Sequence, residues 1–225
     1  GWWWPSAAGP AAPAVLYLHG VRRDLTGNSY RIARLAAMGF NILAIDYRGF
    51  GRSGGDIPDE RWTYEDAELA WKSLRERTPA SAKRIIYGHS LGGAVGIELA
   101  TRVGDASALV VESTFTSMRD MADLTLARFL PVRLILTQRY DSLAKIERVR
   151  IPTLFVHGTS DRFVPYDMSV RLHAAAVAPK RLLLVENGTH GNTLATGFES
   201  CRSAIAELMG LARPAVAGQP TNGEI

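Results

Sequence analysis

Six short apolar runs alternate with helical patterns along most of the chain, and this alternation limits the possible folds more than any other feature. The runs contain few polar residues, as strands covered on both faces must. They occupy residues 14–18, 41–46, 84–87, 108–112, 153–156 and 181–185. The helical patterns occupy residues 28–38, 63–75, 91–103, 167–177 and 198–211. We predict an α/β fold in which a mostly parallel sheet of about six strands carries helices on both faces.

The composition accommodates one main domain at residues 14–213. With 225 residues, of which 47% are hydrophobic, the chain can form one full core. Residues 1–13 are predicted to be an N-terminal extension, and residues 115–149 a small helical cap inserted after the fourth strand. Residues 214–225, rich in Pro, Gly and small polar residues, are predicted to be a flexible tail. No apolar stretch is long enough to span a membrane, which leaves a cytoplasmic location or membrane association through an upstream segment.

Charge and cysteine content argue against several classes of function. The net charge is only +4, and arginines such as Arg31, Arg48 and Arg128 are scattered along the chain. This distribution indicates a solvated surface and not a nucleic-acid-binding patch. The single cysteine, Cys201, can form neither an internal disulfide nor a cysteine metal cage. We expect no metal and no organic cofactor.

Ser90 lies in a Gly-His-Ser-Leu-Gly sequence between an apolar run and a helix rich in small residues. A serine in a tight strand-to-helix turn adopts a strained backbone, so the positions two before and two after it must be almost free of side chains. Gly88 and Gly92 meet that requirement. This context predicts that Ser90 is a nucleophile, since the turn lifts its hydroxyl above the sheet.

A serine nucleophile needs a base and an acid. His190, on a glycine-flanked loop after the last run, is the predicted base because a neutral imidazole accepts protons near pH 7. The other histidines considered, His89, His157 and His173, lie beside the serine, at a strand end and within a helix. Asp161, which follows the fifth run, is the predicted acid and gives the order Ser, Asp, His. Glu112 at the end of the preceding run is a competing acid.

Two backbone N–H groups are predicted to stabilise the oxyanion of the tetrahedral intermediate. One is the N–H of Leu91, directly after the serine, and the second is the N–H of Val21, in the loop after the first run. His19 in that loop and Asp46 in the next glycine-rich loop are interpreted as structural. All these polar positions follow the carboxyl ends of strands, where parallel sheets bind ligands.

Four segments together resemble a known family. They are Leu-Tyr-Leu-His-Gly at 16–20, Asp-Tyr-Arg-Gly-Phe-Gly-Arg-Ser at 46–53, Gly-His-Ser-Leu-Gly-Gly-Ala at 88–94 and Glu-Ser-Thr-Phe-Thr-Ser-Met at 112–118. The chain is similar to α/β-hydrolase-domain proteins of the ABHD13, or BEM46-like, branch over nearly its whole length. That resemblance implies the α/β-hydrolase fold and a triad of Ser90, Asp161 and His190, acting on esters or thioesters of lipid-like acyl groups.

The residues and the resemblance together predict a serine hydrolase that forms an acyl-enzyme. Its partner would be a small-molecule or lipid-like acyl substrate, with Phe115, Met118 and Met121 of the cap contacting the apolar acyl chain. Association with a membrane surface is compatible with such a substrate. Two alternatives stay open at this stage: a peptidase or amidase that uses the same triad, and a catalytically silent binding protein that retains the fold. The sequence does not define the oligomeric state.

Overall fold

The computed structural model describes residues 1–22, 24–55, 58–124 and 137–210. Its strands are β1 (Trp2–Trp4), β2 (Ala14–Leu18), β3 (Asn41–Ile45), β4 (Arg84–His89), β5 (Ala108–Glu112), β6 (Thr153–Gly158) and β7 (Lys180–Val185). Its helices are α1 (Ser29–Ala37), α2 (Glu60–Arg77), α3 (Leu91–Arg102), α4 (Met118–Asp123), α5 (Ser142–Ile146), α6 (Asp167–Ala175), α7 (Thr193–Thr196) and α8 (Phe198–Leu208), with a 3-10 turn at Thr26–Asn28 before α1.

The strands form one sheet in the order β1-β3-β2-β4-β5-β6-β7. All neighbours are parallel except β1 and β3, which are antiparallel. The predicted α/β class with a mostly parallel sheet is therefore confirmed. Because parallel strands point the same way, the carboxyl ends of β2, β4, β6 and β7 meet at one edge, where ligands bind in sheets of this kind.

Among the described residues the sheet has seven strands, one more than the six runs identified in the sequence, because Trp2–Trp4 lies within the predicted extension and pairs with β3. Trp2 and Trp4 are 38% and 48% exposed, whereas Trp3 packs against the core. This alternation is that of an edge strand with one covered face. The three-residue strand is too short for its period to be recognised in the sequence.

Side chains alternate along the strands and supply a core on each face of the sheet. Leu16 of β2 packs with Trp71 of α2 and Val95 of α3 on one face. Tyr17 of β2 lies on the opposite face, in the core that includes Leu35 of α1 and Ile205 of α8. Two covered faces explain why the central strands are almost wholly apolar.

Helix α2 begins at Glu60, three residues before the predicted start at Thr63. The carboxylate of Asp59 accepts a hydrogen bond from the Trp62 N–H at 2.7 Å and caps the helix. Thr63 and Asp66 form a Thr-x-x-Asp sequence, which is typical of a helix start and predicts a cap at Thr63. In the structure Asp66 instead accepts hydrogen bonds from both the backbone and the side chain of Arg48. The N-cap residue of α2 is therefore Asp59, which lies outside the Thr63-x-x-Asp66 sequence.

The inserted segment that was predicted to form a helical cap, residues 115–149, is described only at its two ends, which contain α4 and α5. Residues 125–136 of the cap and the whole predicted tail lie outside the described residues. Within the described ranges, no helix combines the length and apolar content that crossing a bilayer requires.

Candidate active site

Ser90 occupies a sharp turn between β4 and α3, with φ 55° and ψ −120°. A non-glycine residue in this left-handed region costs on the order of 1–3 kcal/mol, which surrounding packing must offset. A Cβ atom on Gly88 would lie 2.1 Å from the Gly92 carbonyl oxygen, and one on Gly92 would lie 2.0 Å from the Leu18 carbonyl oxygen. The two glycines are therefore required for the close approach of β4, α3 and the loop after β2.

The structure brings Ser90, His190 and Asp161 together from three separate loops. His190 Nε2 lies 3.2 Å from Ser90 Oγ, and His190 Nδ1 lies 2.7 Å from Asp161 Oδ2. A carboxylate accepts a hydrogen bond from Nδ1–H, so the neutral ring keeps its lone pair on Nε2 and faces the serine hydroxyl. This is the arrangement in which an imidazole can take the serine proton.

Asp161 is held as a carboxylate by three hydrogen-bond donors and by the neighbouring His157 ring. Its Oδ1 accepts from the Phe163 and Val164 N–H groups, both at 2.9 Å, while Oδ2 lies 3.2 Å from His157 Nε2 as well as beside His190. Burial acts to raise the pKa of Asp161, but the hydrogen bonds from His157 and His190 outweigh it and hold the pKa well below its usual value. The group is ionised at neutral pH and can stabilise a positively charged imidazole.

The loops that carry Asp161 and His190 interlock at two glycines. A Cβ atom on Gly158 would lie 2.2 Å from the Gly188 carbonyl oxygen, so only glycine fits there. Ser160 N–H donates to Gly188 O at 2.9 Å, and Asn187 N–H donates to the Thr159 hydroxyl at 3.0 Å. These contacts set the acid and the histidine at hydrogen-bonding distance.

Glu112, the competing acid, lies elsewhere in the network. It is fully buried and accepts from Arg31 Nε at 3.0 Å, from Arg31 Nη2 at 3.2 Å and from the Tyr87 hydroxyl at 3.0 Å. Burial acts to raise the pKa of Glu112, but the Arg31 guanidinium outweighs burial and holds the pKa at about 2. None of its hydrogen bonds to other described residues involves a histidine ring.

The loop after β2 passes directly over the serine. A Cβ atom on Gly20 would lie 3.0 Å from Ser90 Cβ, and the Val21 and Leu91 N–H groups donate to no acceptor among the described residues. His19 Nδ1 donates to the Gly20 carbonyl at 2.7 Å, and its Nε2 lies 3.2 Å from Asp46 Oδ1. Two free N–H groups beside Ser90 are compatible with the predicted oxyanion site.

A cavity of about 360 Å³ opens beside Ser90. Its lining is mixed and includes the polar residues Arg22, Asn28, Tyr30, Arg31, His89 and His190. The Arg22 guanidinium lies 5.4 Å from the centre of the Phe163 ring, which in turn lies 5.0 Å from the ring centre of His190. Arg22 forms no ion pair with a carboxylate in the described part of the chain, so a cationic group stands at the rim.

Phe115, Met118 and Met121 do not line this cavity. Phe115 is buried in the core shared with α2 and α3, and the two methionines pack against the same core. Their contact with an acyl chain stays a prediction, because the middle of the cap lies outside the described residues.

Sequence reasoning missed two residues of this region. Arg31 was interpreted as part of a solvated surface, yet its side chain is only 3% exposed and pairs with Glu112. His89 was considered only as an alternative base, yet its Nε2 donates to the His190 carbonyl at 3.0 Å. The spacing of Arg31 and Leu35, one helical turn apart, was the available signal for Arg31. Nothing in the sequence indicated the contact of His89.

The sheet order and the serine turn between β4 and α3 define an α/β-hydrolase. Residues 9–145 match the family described as serine aminopeptidase, S33, and the chain belongs to this family. An uncharacterized protein of Mycobacterium tuberculosis is 36% identical over 193 residues, which cover 85% of this chain and 68% of that protein. Protein bem46 of Schizosaccharomyces pombe is 33% identical over 194 residues, covering 80% of this chain and 62% of bem46. The resemblance to BEM46-like α/β-hydrolases is thereby confirmed.

Solved structures share the fold at low sequence identity. The esterase Pf2001 of Pyrococcus furiosus superposes with a TM-score of 0.71 at 18% identity, over 93% of this chain and 90% of the esterase. This similarity establishes the α/β-hydrolase fold alone. Among the described residues, no group of three or more His, Cys, Asp or Glu side chains is arranged to hold a metal ion.

Proposed function

We propose that this α/β-hydrolase cleaves carboxylic ester or thioester bonds through an acyl-enzyme on Ser90. The observation that carries the proposal is the continuous set of contacts from Ser90 Oγ to His190 Nε2 at 3.2 Å and from His190 Nδ1 to Asp161 Oδ2 at 2.7 Å. The strained serine turn and the free N–H groups beside it support the same conclusion. Each component of acyl transfer has a matching group in the chain.

In the proposed first half-reaction, His190 Nε2 removes the proton of Ser90 as Oγ attacks the carbonyl carbon. The carbonyl oxygen becomes an oxyanion that accepts hydrogen bonds from the N–H groups of Leu91 and Val21. The imidazolium then donates its proton to the departing alcohol or thiol. In the second half-reaction, a water molecule gives its proton to His190 and attacks the acyl carbon, and the acid is released as Ser90 regains its proton.

The substrate in this proposal has an apolar acyl chain, which Phe115, Met118 and Met121 of the cap would contact. The cavity beside Ser90, whose lining includes Arg22, Asn28 and Tyr30, would then accommodate the alcohol or thiol portion. The esterase activity in the name of the Pf2001 structure belongs to a protein of the same fold and is compatible with this assignment.

The test has two parts. Incubation of the folded protein with a fluorophosphonate probe, followed by peptide mapping, is expected to locate the adduct on Ser90. A panel of p-nitrophenyl esters of increasing acyl length is expected to give turnover that rises with chain length before it declines. Folded protein that neither reacts with the probe nor hydrolyses any ester would favour a silent binding protein and overturn the proposal.

A peptidase or amidase is the second candidate, because the matching family is described as serine aminopeptidase, S33. The same triad serves amide cleavage. Aminoacyl-p-nitroanilides measured beside the esters separate the two activities. Higher kcat/KM on the anilides than on every ester would favour the peptidase.

A further inference from the structure

Three side chains converge on the backbone carbonyl groups of His190 and Gly191. Arg31 Nη2 lies 3.2 Å from the His190 carbonyl oxygen and 3.2 Å from the Gly191 carbonyl oxygen. His89 Nε2 donates to the His190 carbonyl at 3.0 Å, and the Tyr30 hydroxyl donates to the Gly191 carbonyl. Two successive carbonyl groups of one loop therefore share donors from α1 and from the end of β4.

The Arg31 guanidinium is itself fixed by a buried acid. Its Nε and Nη2 donate to the two carboxylate oxygens of Glu112, and both side chains are almost fully buried. This paired, planar geometry restricts a guanidinium more than a single contact would. Arg31 therefore presents Nη2 to the loop from a fixed direction.

Glu112 also holds the chain on the far side of the same loop. Its Oε1 accepts from the Leu194 N–H, in α7, at 3.3 Å. The ion pair consequently contacts the backbone at His190 and Gly191 through Arg31, and again at Leu194 through Glu112. The segment between them includes Gly191, whose missing side chain allows many backbone conformations.

His89 is suited to its contact because it is uncharged. Burial, together with the nearby positive charge of Arg31, lowers the pKa of His89 to about 3. The neutral ring donates Nε2–H to the His190 carbonyl and brings no second positive charge to the site. Glu112 likewise balances the charge of Arg31, so the imidazolium formed during proton transfer meets a neutral pair.

We propose that Arg31, held by Glu112, is a positioning residue that fixes the His190 backbone and so keeps Nε2 in line with Ser90. This role rests on the proposed function and assigns to Glu112 a purpose other than that of the triad acid. Misplacement of a reacting group by about 1 Å can reduce rate by roughly 10²-fold, so the effect on turnover is measurable.

The experiment compares Arg31→Lys with Arg34→Lys on the same helix. Arg34 is exposed and lies over the Phe198 ring, away from the loop. Lysine at position 31 keeps a positive charge opposite Glu112 but lacks the fork that also reaches the two carbonyls. On a p-nitrophenyl ester, Arg31→Lys is expected to lower kcat by about tenfold or more with KM changed less than about threefold. Arg34→Lys is expected to match the wild type.

Tyr30→Phe provides a milder variant that keeps the buried ion pair intact. Loss of one hydrogen bond of about 1 kcal/mol predicts a kcat roughly fivefold lower, with the thermal midpoint lowered by only about 2–4 °C. The proton NMR signal of the His190–Asp161 hydrogen bond gives a second readout. It is expected to broaden or shift in Arg31→Lys and to stay unchanged in Arg34→Lys. If Arg31→Lys does not fold, Tyr30→Phe alone decides the question.

The outcomes separate the two proposals. Wild-type protein without turnover or probe labelling overturns the proposed function, and the positioning role with it. An active wild type whose kcat is unaffected by Arg31→Lys, or by Tyr30→Phe where the lysine variant does not fold, overturns the positioning role alone. A loss that appears in KM and not in kcat overturns it as well, because the loop would then serve binding.

Discussion

Asp161 Oδ2 lies 2.7 Å from His190 Nδ1, on the side of the imidazole opposite the serine. The contact fixes the tautomer, so the nitrogen that faces Ser90 carries a lone pair. In the proposed mechanism, it also places a negative charge beside a ring that becomes positive during proton transfer. Four of the predictions below concern this pair and the groups around it.

Ser90→Ala and His190→Ala are each expected to lower kcat by at least about 10⁴-fold, and the double variant to be no worse than either single one. In the proposed mechanism the two residues act on the same proton transfer, so removal of one leaves little for the other to contribute. The measurement is ester turnover by all three variants. Multiplicative losses in the double variant would contradict this coupling.

Asp161→Asn is expected to lower kcat by roughly 10³- to 10⁴-fold with little change in fold. The Asn amide can donate to Nδ1, which favours the tautomer with its proton toward Ser90. Glu112→Gln, measured in parallel, is expected to reduce kcat less. A larger kcat loss in Glu112→Gln would indicate that Glu112 is the acid.

Glu112→Gln is expected to destabilise the protein by about 3–5 kcal/mol near neutral pH, because Arg31 loses its buried counter-charge. The measurement is urea unfolding of the wild type and the variant, with Asp59→Asn as a control at a less buried carboxylate. Equal unfolding midpoints for wild type and Glu112→Gln would contradict the prediction.

The ion pair between Arg31 and Glu112 also predicts a pH dependence of stability. The pKa of Glu112 is lowered from its ordinary 4.5 to about 2 in the folded chain, so its contribution is complete above pH 4.5 and is lost as the pH falls through 2. The difference in unfolding free energy between wild type and Glu112→Gln is therefore expected to shrink across that interval. A constant difference down to pH 2 would contradict it.

Gly88→Ala is expected to destabilise the protein by more than about 3 kcal/mol, because the added methyl group would meet backbone atoms of Gly92 and Gly93. Gly104→Ala is the matched control, since a Cβ atom there meets nothing within 4 Å. Thermal unfolding of both variants is the measurement. Similar unfolding midpoints for Gly88→Ala and Gly104→Ala would contradict the prediction, because the turn at Ser90 would then accommodate a side chain.

The parallel sheet and the serine turn could be predicted because they rest on local signals. Apolar runs identify buried strands, and the glycines around Ser90 meet a steric requirement of a single turn. The environments of Arg31 and His89 depend on residues 159 and 101 positions away in the chain. No local pattern contains such pairings, so the support of the His190 loop became visible only in the folded chain.

The short edge strand and the N-terminal start of α2 also could not be predicted from the sequence. The strand Trp2–Trp4 has too few residues for a period of two to be distinguished from chance. The start of α2 was misplaced because Thr63 and Asp66 satisfy a capping pattern that the chain does not use there. Both outcomes were decided by partners elsewhere, β3 for the strand and Arg48 for Asp66.

The close packing of Gly158 against Gly188 affects how the loops that carry Asp161 and His190 can move. The two loops are joined by this packing and by hydrogen bonds from the Ser160 and Asn187 N–H groups. We therefore expect them to move together as one rigid unit. Arg31 and His89 limit the motion of this unit relative to Ser90, and any motion that remains would leave the spacing between the imidazole and the carboxylate constant. The histidine would then return from each excursion already oriented for the next proton transfer.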